Sequence, residues 1–151
     1  MSDSENFAEL HGYFLQGITL RMLEDLADSD LHAMACLGWE KLNKGFYQEA
    51  RNVFYVLVYV DHCNVDYLLT LGLCYQKLND HHAAILAFSQ AGSRAITDPR
   101  PPFLAAQSYR ALNDRIHEKI ALESVLKLIN QQVIWHELRV QAVEQLSRCP
   151  Q

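Results

Sequence analysis

Proline and glycine are scarce in this chain, 4 and 6 among 151 residues. Their scarcity excludes a collagen-like repeat and a low-complexity linker, and a 50% hydrophobic content excludes a disordered tail. An excess of basic charge is also missing. Lys plus Arg is 13 against 18 Asp plus Glu, a net charge of −5, so no nucleic-acid partner is expected. Long apolar runs are absent too. The longest, Val53–Val60, is far short of the roughly 20 residues that span a bilayer, and direct membrane insertion is not expected. The start, Met1-Ser2-Asp3-Ser4-Glu5-Asn6, lacks the basic residues and apolar run of a secretory signal, which points to the cytosol. Cys36, Cys63, Cys74 and Cys149 form no CxxC pair. Reduced, mostly buried thiols are the expectation, since a chain of this length can bury a core without disulfides.

What is present is a period. Gly38 pairs with Gly72, Leu37 with Leu71, Ala50 with Ala84 and Phe54 with Phe88, each at the same offset. A further step leads from Gly72 to Ala106, from Tyr75 to Tyr109 and from Asn79 to Asn113. Gly45, Asn79 and Asn113 share one repeat position. Gly and Asn best tolerate the left-handed conformation that ends a helix. Asp80 and Asp114 follow, placed to cap the next helix. The unit is therefore a helix, a tight turn and a second helix.

A period of about 34 with a small residue on the first helix, Ala on the second and an aromatic after it resembles the tetratricopeptide repeat. Gly38, Gly72 and Ala106 let the second helix approach, Ala50 and Ala84 are their small partners, and Phe54 and Phe88 fill the remaining gap. The expected fold is all-α: three tandem tetratricopeptide-like hairpins at 31–64, 65–98 and 99–132. An N-terminal segment with a helix (1–30, helix about 7–27) and a C-terminal helix and tail (133–151, helix about 132–147) flank them and protect the ends of the stack. Repeat one departs with Lys41 where an aromatic is usual. Repeat three departs with Glu118 where Ala is expected, and it opens on Pro99-Arg100-Pro101-Pro102, so it is the least regular unit and a shift of its second helix is expected. The β-branched run Val53–Val60 reads as a strand by propensity, but Ala50, Phe54 and Leu57 sit at helical spacing.

Stacked hairpins curve, with their first helices on the concave side. Projecting those helices gives Ala35, Trp39 and Leu42, then Leu69, Leu73 and Gln76, then Phe103, Gln107 and Arg110. Each set shares one helix face. That face is additional to the packing face at Leu37-Gly38 or Leu71-Gly72, and a second apolar face needs its own cover. A peptide-binding groove is the reading favoured over plain core.

The stretch Leu37–Ala50 with Gly45, then Val53-Phe54, Val60-Asp61-His62, Leu71-Gly72-Leu73-Cys74 and Asp98-Pro99-Arg100-Pro101-Pro102-Phe103 resembles the class II chaperones of type III secretion systems. Gly17-x-x-Leu20-x-Met22-Leu23 is similar to their N-terminal segment. The resemblance implies a bacterial cytoplasmic chaperone. It would hold hydrophobic translocator proteins in the groove, keep them soluble and unassembled, and deliver them for export. By position it adds Tyr47, Val60, His62 and Phe88 to Ala35, Trp39 and Leu42 as peptide contacts. It also implies possible homodimers through the N-terminal helix, with Phe7, Leu10, Phe14 and Leu15 as the contact. The alternative is a tetratricopeptide adaptor for a secreted effector or another cytosolic peptide.

No enzyme, cofactor or metal site is expected. His32 and Cys36 stand one helical turn apart without a third ligand nearby, and read as a surface His and a buried Cys. Asp61-His62-Cys63 are adjacent, and adjacent side chains rarely aim at one another. A glycine-rich phosphate loop is also missing.

Overall fold

The computed structural model describes residues 28–129 and 133–149. Within them lie seven α-helices: α1 (Asp28–Asn43), α2 (Tyr47–Val60), α3 (Val65–Lys77), α4 (His81–Arg94), α5 (Arg100–Ala111), α6 (Arg115–Ile129) and α7 (His136–Ser147), the last preceded by a 3-10 turn, Val133–Trp135. The expected helix at 7–27, with Phe7, Leu10, Phe14, Leu15 and the Gly17–Leu23 motif, lies outside the described residues. Each helix packs mainly on the one before it and the one after it in the chain, the arrangement of tandem hairpins. Val53–Val60 is helical, because the buried stripe Ala50, Phe54, Leu57 has a helical and not a strand period.

The turns repeat in register. α1, α3 and α5 end at Asn43, Lys77 and Ala111, and their partners open at Tyr47, His81 and Arg115. Gly45, Asn79 and Asn113 all have positive φ, at 86°, 60° and 58°. The left-handed residue closes the first helix, and the following carboxylate opens the second. Asp80 Oδ1 accepts from the Ala83 N–H at 3.2 Å, and Asp114 Oδ1 from the His117 N–H at 3.1 Å. Repeat one has Phe46 there and no side-chain cap.

Packing inside each hairpin turns on one close approach. A β-carbon on Gly38 would lie 2.7 Å from Phe54 Cε2, and one on Gly72 would lie 2.7 Å from Phe88 Cδ1. Both rings are buried, each contributing about 1.5–3 kcal/mol by burial. Repeat three changes both partners together, with Ala106 at the glycine position and Leu122 at the ring position, both buried. Leu57, Ala91 and Val125, one turn further along the second helices, are completely buried. The second helix of repeat three is not shifted: α6 opens at Arg115, one repeat after His81. α7 closes onto α6 through Ala142, with Leu138, Leu146 and Trp135 against the same core.

Asp98-Pro99-Arg100 forms the joint between the second and third hairpins. Asp98 Oδ1 accepts from the Arg100 backbone N–H at 2.9 Å, and its carboxylate accepts from the guanidinium at 2.7–3.1 Å. Arg100 Nη1 reaches Asp66 Oδ1 on α3 at 3.1 Å. Proline at the start of α5 removes N–H groups that the first helical turn leaves unpaired in any case.

Candidate functional site

The first helices touch one another along one side of the stack. Trp39 Nε1 on α1 donates to Thr70 Oγ1 on α3 at 3.3 Å, and the Thr70 hydroxyl donates to the Asp66 carbonyl at 2.7 Å. One repeat on, Gln76 Nε2 on α3 donates to the Leu104 carbonyl at 2.9 Å and to Ser108 Oγ at 2.8 Å on α5. Arg110 Nη2 on α5 reaches Gln145 Oε1 on α7 at 3.4 Å. α7 thus takes the place of a fourth first helix.

The second helices are instead parted by clefts. One is lined by Tyr55 and Tyr59 of α2, Tyr75 of α3 and Leu86 of α4. Its repeat equivalent is lined by Ser89 of α4, Tyr109 of α5 and Ile120 of α6. Touching first helices and parted second helices give a stack curved with α1, α3 and α5 on the inner side.

On that inner side the projected residues divide by depth. Trp39, Leu42, Leu73 and Gln107 are half-buried, so part of each side chain faces solvent. Trp39 tilts over Phe54 at 5.7 Å between ring centroids, which fixes its plane. Gln76 is also half-buried, but its amide donors are spent on α5.

Ala35, Leu69, Phe88 and Phe103 are buried and pack between helices. Ala35 is enclosed by the first core cluster, Leu69 and Phe88 by the middle one, and Phe103 by the last. For Phe88 the reason is its seat on Gly72. For Ala35, Leu69 and Phe103, which share one repeat position, it is their place inside the packed cores.

The remaining expected contacts stand at the hairpin ends. Tyr47 opens α2, half-buried, with Lys77 Nζ 6.0 Å from its ring centroid. Val60 ends α2, half-buried, and His62 is exposed in the following turn.

The polar end of this side has a device the sequence shows only in part. Glu118, at the position of Ala50 and Ala84, is completely buried. Arg110 Nε donates to its Oε1 at 2.6 Å, and Arg115 Nη1 to its Oε2 at 2.9 Å. Burial alone would raise the carboxyl; the hydrogen bonds from Arg115 and Arg110 together outweigh it and hold it below its ordinary value. Arg110 is thereby drawn toward α6 and α7. The partner residues Thr70, Ser108 and Gln145 carry no sequence signal of their own. Glu118 does, as a charge at an alanine position.

The thiols differ from expectation. All four are free, but Cys36 and Cys63 are exposed and only Cys74 is buried. Cys36 lies on the solvent side of α1, its Sγ 3.7 Å from His32 Nε2. Among the described residues no three His, Cys, Asp or Glu side chains gather as a metal site, and no helix is long and apolar enough to cross a membrane.

No family model matches the sequence. The low calcium response locus protein H of Yersinia pestis is 30% identical over 107 residues, 70% of this chain. The match spans 64% of that relative's own length. The translocator chaperone SycD of Yersinia enterocolitica type III secretion superposes with a TM-score of 0.79 at 26% identity, covering 83% of this chain and 94% of that one. PcrH, from Pseudomonas aeruginosa, solved in complex with the chaperone binding region of PopD, superposes with a TM-score of 0.78 at 28% identity, covering 82% and 92%. In sequence and fold the chain is similar to the type III secretion translocator chaperones, the family its motifs resemble.

Proposed function

We propose that this chain is a cytoplasmic type III secretion chaperone that holds an apolar segment of a translocator protein along α1, α3 and α5. One observation carries the reading. Trp39, Leu42 and Leu73 remain partly open to solvent on the inner side, although each hairpin already has a packed core. The fold is shared with PcrH, which was solved with a translocator's chaperone binding region.

The mechanism follows from burial. A membrane-inserting client exposes apolar segments that would associate in water. Covering one removes apolar surface at roughly 25 cal/mol per Å², offset by the ordering of the bound segment. Affinity is therefore moderate, which suits a client that must be released for export. The net charge of −5 favours solubility of the loaded complex. Ala35, Leu69, Phe88 and Phe103 act beneath the surface by setting its shape. Tyr47, Val60 and His62 stand at its edges. Self-association through Phe7, Leu10, Phe14 and Leu15 belongs to the same reading.

Co-expression with a translocator encoded nearby tests it. The client becomes soluble with the wild-type chain, and Trp39→Ala and Leu73→Asp reduce the yield of complex. A client equally soluble with either variant, or without the chaperone, overturns the reading. A pull-down that recovers an effector and no translocator favours the adaptor alternative.

A further inference from the structure

Two hydrogen bonds meet at one hydroxyl where α1 touches α3. Thr70 Oγ1 donates its single proton to the Asp66 carbonyl at 2.7 Å, one turn back on its own helix. Toward α1 it can therefore only accept, and what it accepts is the Trp39 indole N–H at 3.3 Å. Thr70 is itself buried, so packing holds it in place. The Phe54 ring, 5.7 Å away between centroids, fixes the plane of the indole. A plane alone leaves an indole two ways round. The hydroxyl selects the one that turns the N–H into the stack.

The next joint shows that donor and acceptor occur together. One repeat on, Trp39 becomes Leu73 and Thr70 becomes Leu104. The N–H and the hydroxyl are lost in the same step. α3 and α5 still meet, through Gln76 with the Leu104 carbonyl and Ser108. Stacking of first helices thus needs no hydroxyl at this position, and the presence of one at 70 follows the tryptophan.

We propose that Thr70 is a positioning residue of the inner groove. It acts through Trp39, holding the indole N–H inside the stack so that the half-buried ring turns carbon toward a bound segment. The inference rests on the groove reading above and specifies its first pocket. Trp39, Leu42 and Leu73 then offer no free hydrogen-bond donor. The client side chain seated on them is aliphatic or aromatic, because a carboxylate or amide would lose its water there without gaining a partner. Without the hydroxyl the N–H is left unpaired and turns toward water, and the pocket loses both its shape and its selectivity.

Two readouts test it, the first with no client present. The chain has two tryptophans, so in a Trp135→Phe background all tryptophan emission comes from Trp39. Thr70→Val keeps the shape of threonine without its hydroxyl. It shifts that emission to the red and lets acrylamide quench it more strongly, whereas Thr70→Ser keeps the hydroxyl and stays near the parent. The second readout is recovery of the translocator co-expressed as above. Thr70→Val weakens binding by about 2–10-fold, the factor that one neutral hydrogen bond supplies, and Thr70→Ser restores it. In a Trp39→Phe chain, which has no N–H to position, Thr70→Val has no further effect on recovery. Three results overturn the proposal: emission and quenching that Thr70→Val leaves unchanged, Thr70→Ser as altered as Thr70→Val, or an equal loss of recovery on Thr70→Val in the Trp39→Phe chain. A wild-type chain that recovers no translocator overturns the groove reading instead, and the quenching series still decides the positioning.

Discussion

Gly72 on α3 lies under the ring of Phe88 on α4 so closely that a β-carbon would come within 2.7 Å of the ring carbons Cδ1 and Cζ. Gly38 and Phe54 stand in the same relation. In repeat three the pair is Ala106 and Leu122, both buried. The chain thus contains two solutions to one packing problem: no side chain under a ring, or a methyl under a smaller aliphatic.

That contrast makes a quantitative prediction. Gly72→Ala overpacks the hairpin and destabilises it by about 1–3 kcal/mol. Phe88→Leu removes ring contacts and has a cost of its own. The double variant reproduces the third repeat's pair, so it is more stable than the sum of the single effects predicts, by about 0.5–3 kcal/mol of coupling. Urea unfolding of the four proteins measures this, and simple additivity would show that the two positions do not constrain each other.

Glu118 supplies the second prediction. Its carboxylate is completely buried between Arg110 and Arg115. Arg110 and Arg115 are 36% and 46% exposed, so the charges left by Glu118→Ala keep contact with water; the change costs about 1–3 kcal/mol, the loss of hydrogen bonds to a charged group. The pH dependence has a definite sign. The folded carboxyl titrates below its ordinary value, so its stabilising contribution is complete above the unfolded glutamate range. It declines as the pH falls through the lower, folded value. Glu118→Gln flattens that acid limb. Thermal unfolding between neutral and acidic pH reads it, and an identical acid limb in the variant would refute the assignment.

These two sites also show why the sequence is informative to different degrees. The Gly72–Phe88 contact lies within one hairpin, and the repeat displays the pair twice, so residue type and spacing suffice. The positive φ at Gly45, Asn79 and Asn113 is legible for the same reason. Depth along the inner side is not. Ala35 and Trp39 share one helix face, yet Ala35 is enclosed and Trp39 partly open. Periodicity gives a direction around the helix and not the distance to the next helix, which depends on contacts such as Trp39–Thr70 and Gln76–Ser108. The sequence assigns Phe88 both to filling a hairpin and to lining the groove; in the structure its ring is seated on Gly72 and buried. Glu118 is visible as an exception, but its partner Arg110 comes from another helix, outside any spacing rule.

The joint at Asp98 yields an ordering of three variants. Asp98 has 13% of its side chain exposed, accepts from the Arg100 backbone N–H and grips the Arg100 guanidinium, whereas Asp66 is 66% exposed and makes only the outer pair. Hydrogen bonds to a charged group are worth about 1.5–3 kcal/mol, and an exposed ion pair is worth at most about 1 kcal/mol. Asp98→Ala is therefore clearly destabilising, Asp66→Ala is nearly silent, and Arg100→Lys falls between them because an ammonium cannot hold the carboxylate with a fork of donors. Midpoints of chemical denaturation check the ranking, and an Asp66 effect equal to that of Asp98 would place the strength of the joint in the long-range pair instead.

The free thiols give a prediction that needs no variant. Burial pushes the Cys74 thiol up to about 12, so almost no thiolate is present near neutral pH, and the thiolate is the reactive form. Cys36 and Cys63 are exposed, and Cys149 is partly covered, with burial raising its thiol as well. A disulfide-exchange reagent added to the native chain labels Cys36 and Cys63 first and Cys149 more slowly. Cys74 reacts only once the α3–α4 packing opens. In the unfolded chain all four react alike. Mass mapping of the labelled peptides with time distinguishes the sites. Early labelling of Cys74 would mean that the middle hairpin opens locally, well before the rest of the stack unfolds.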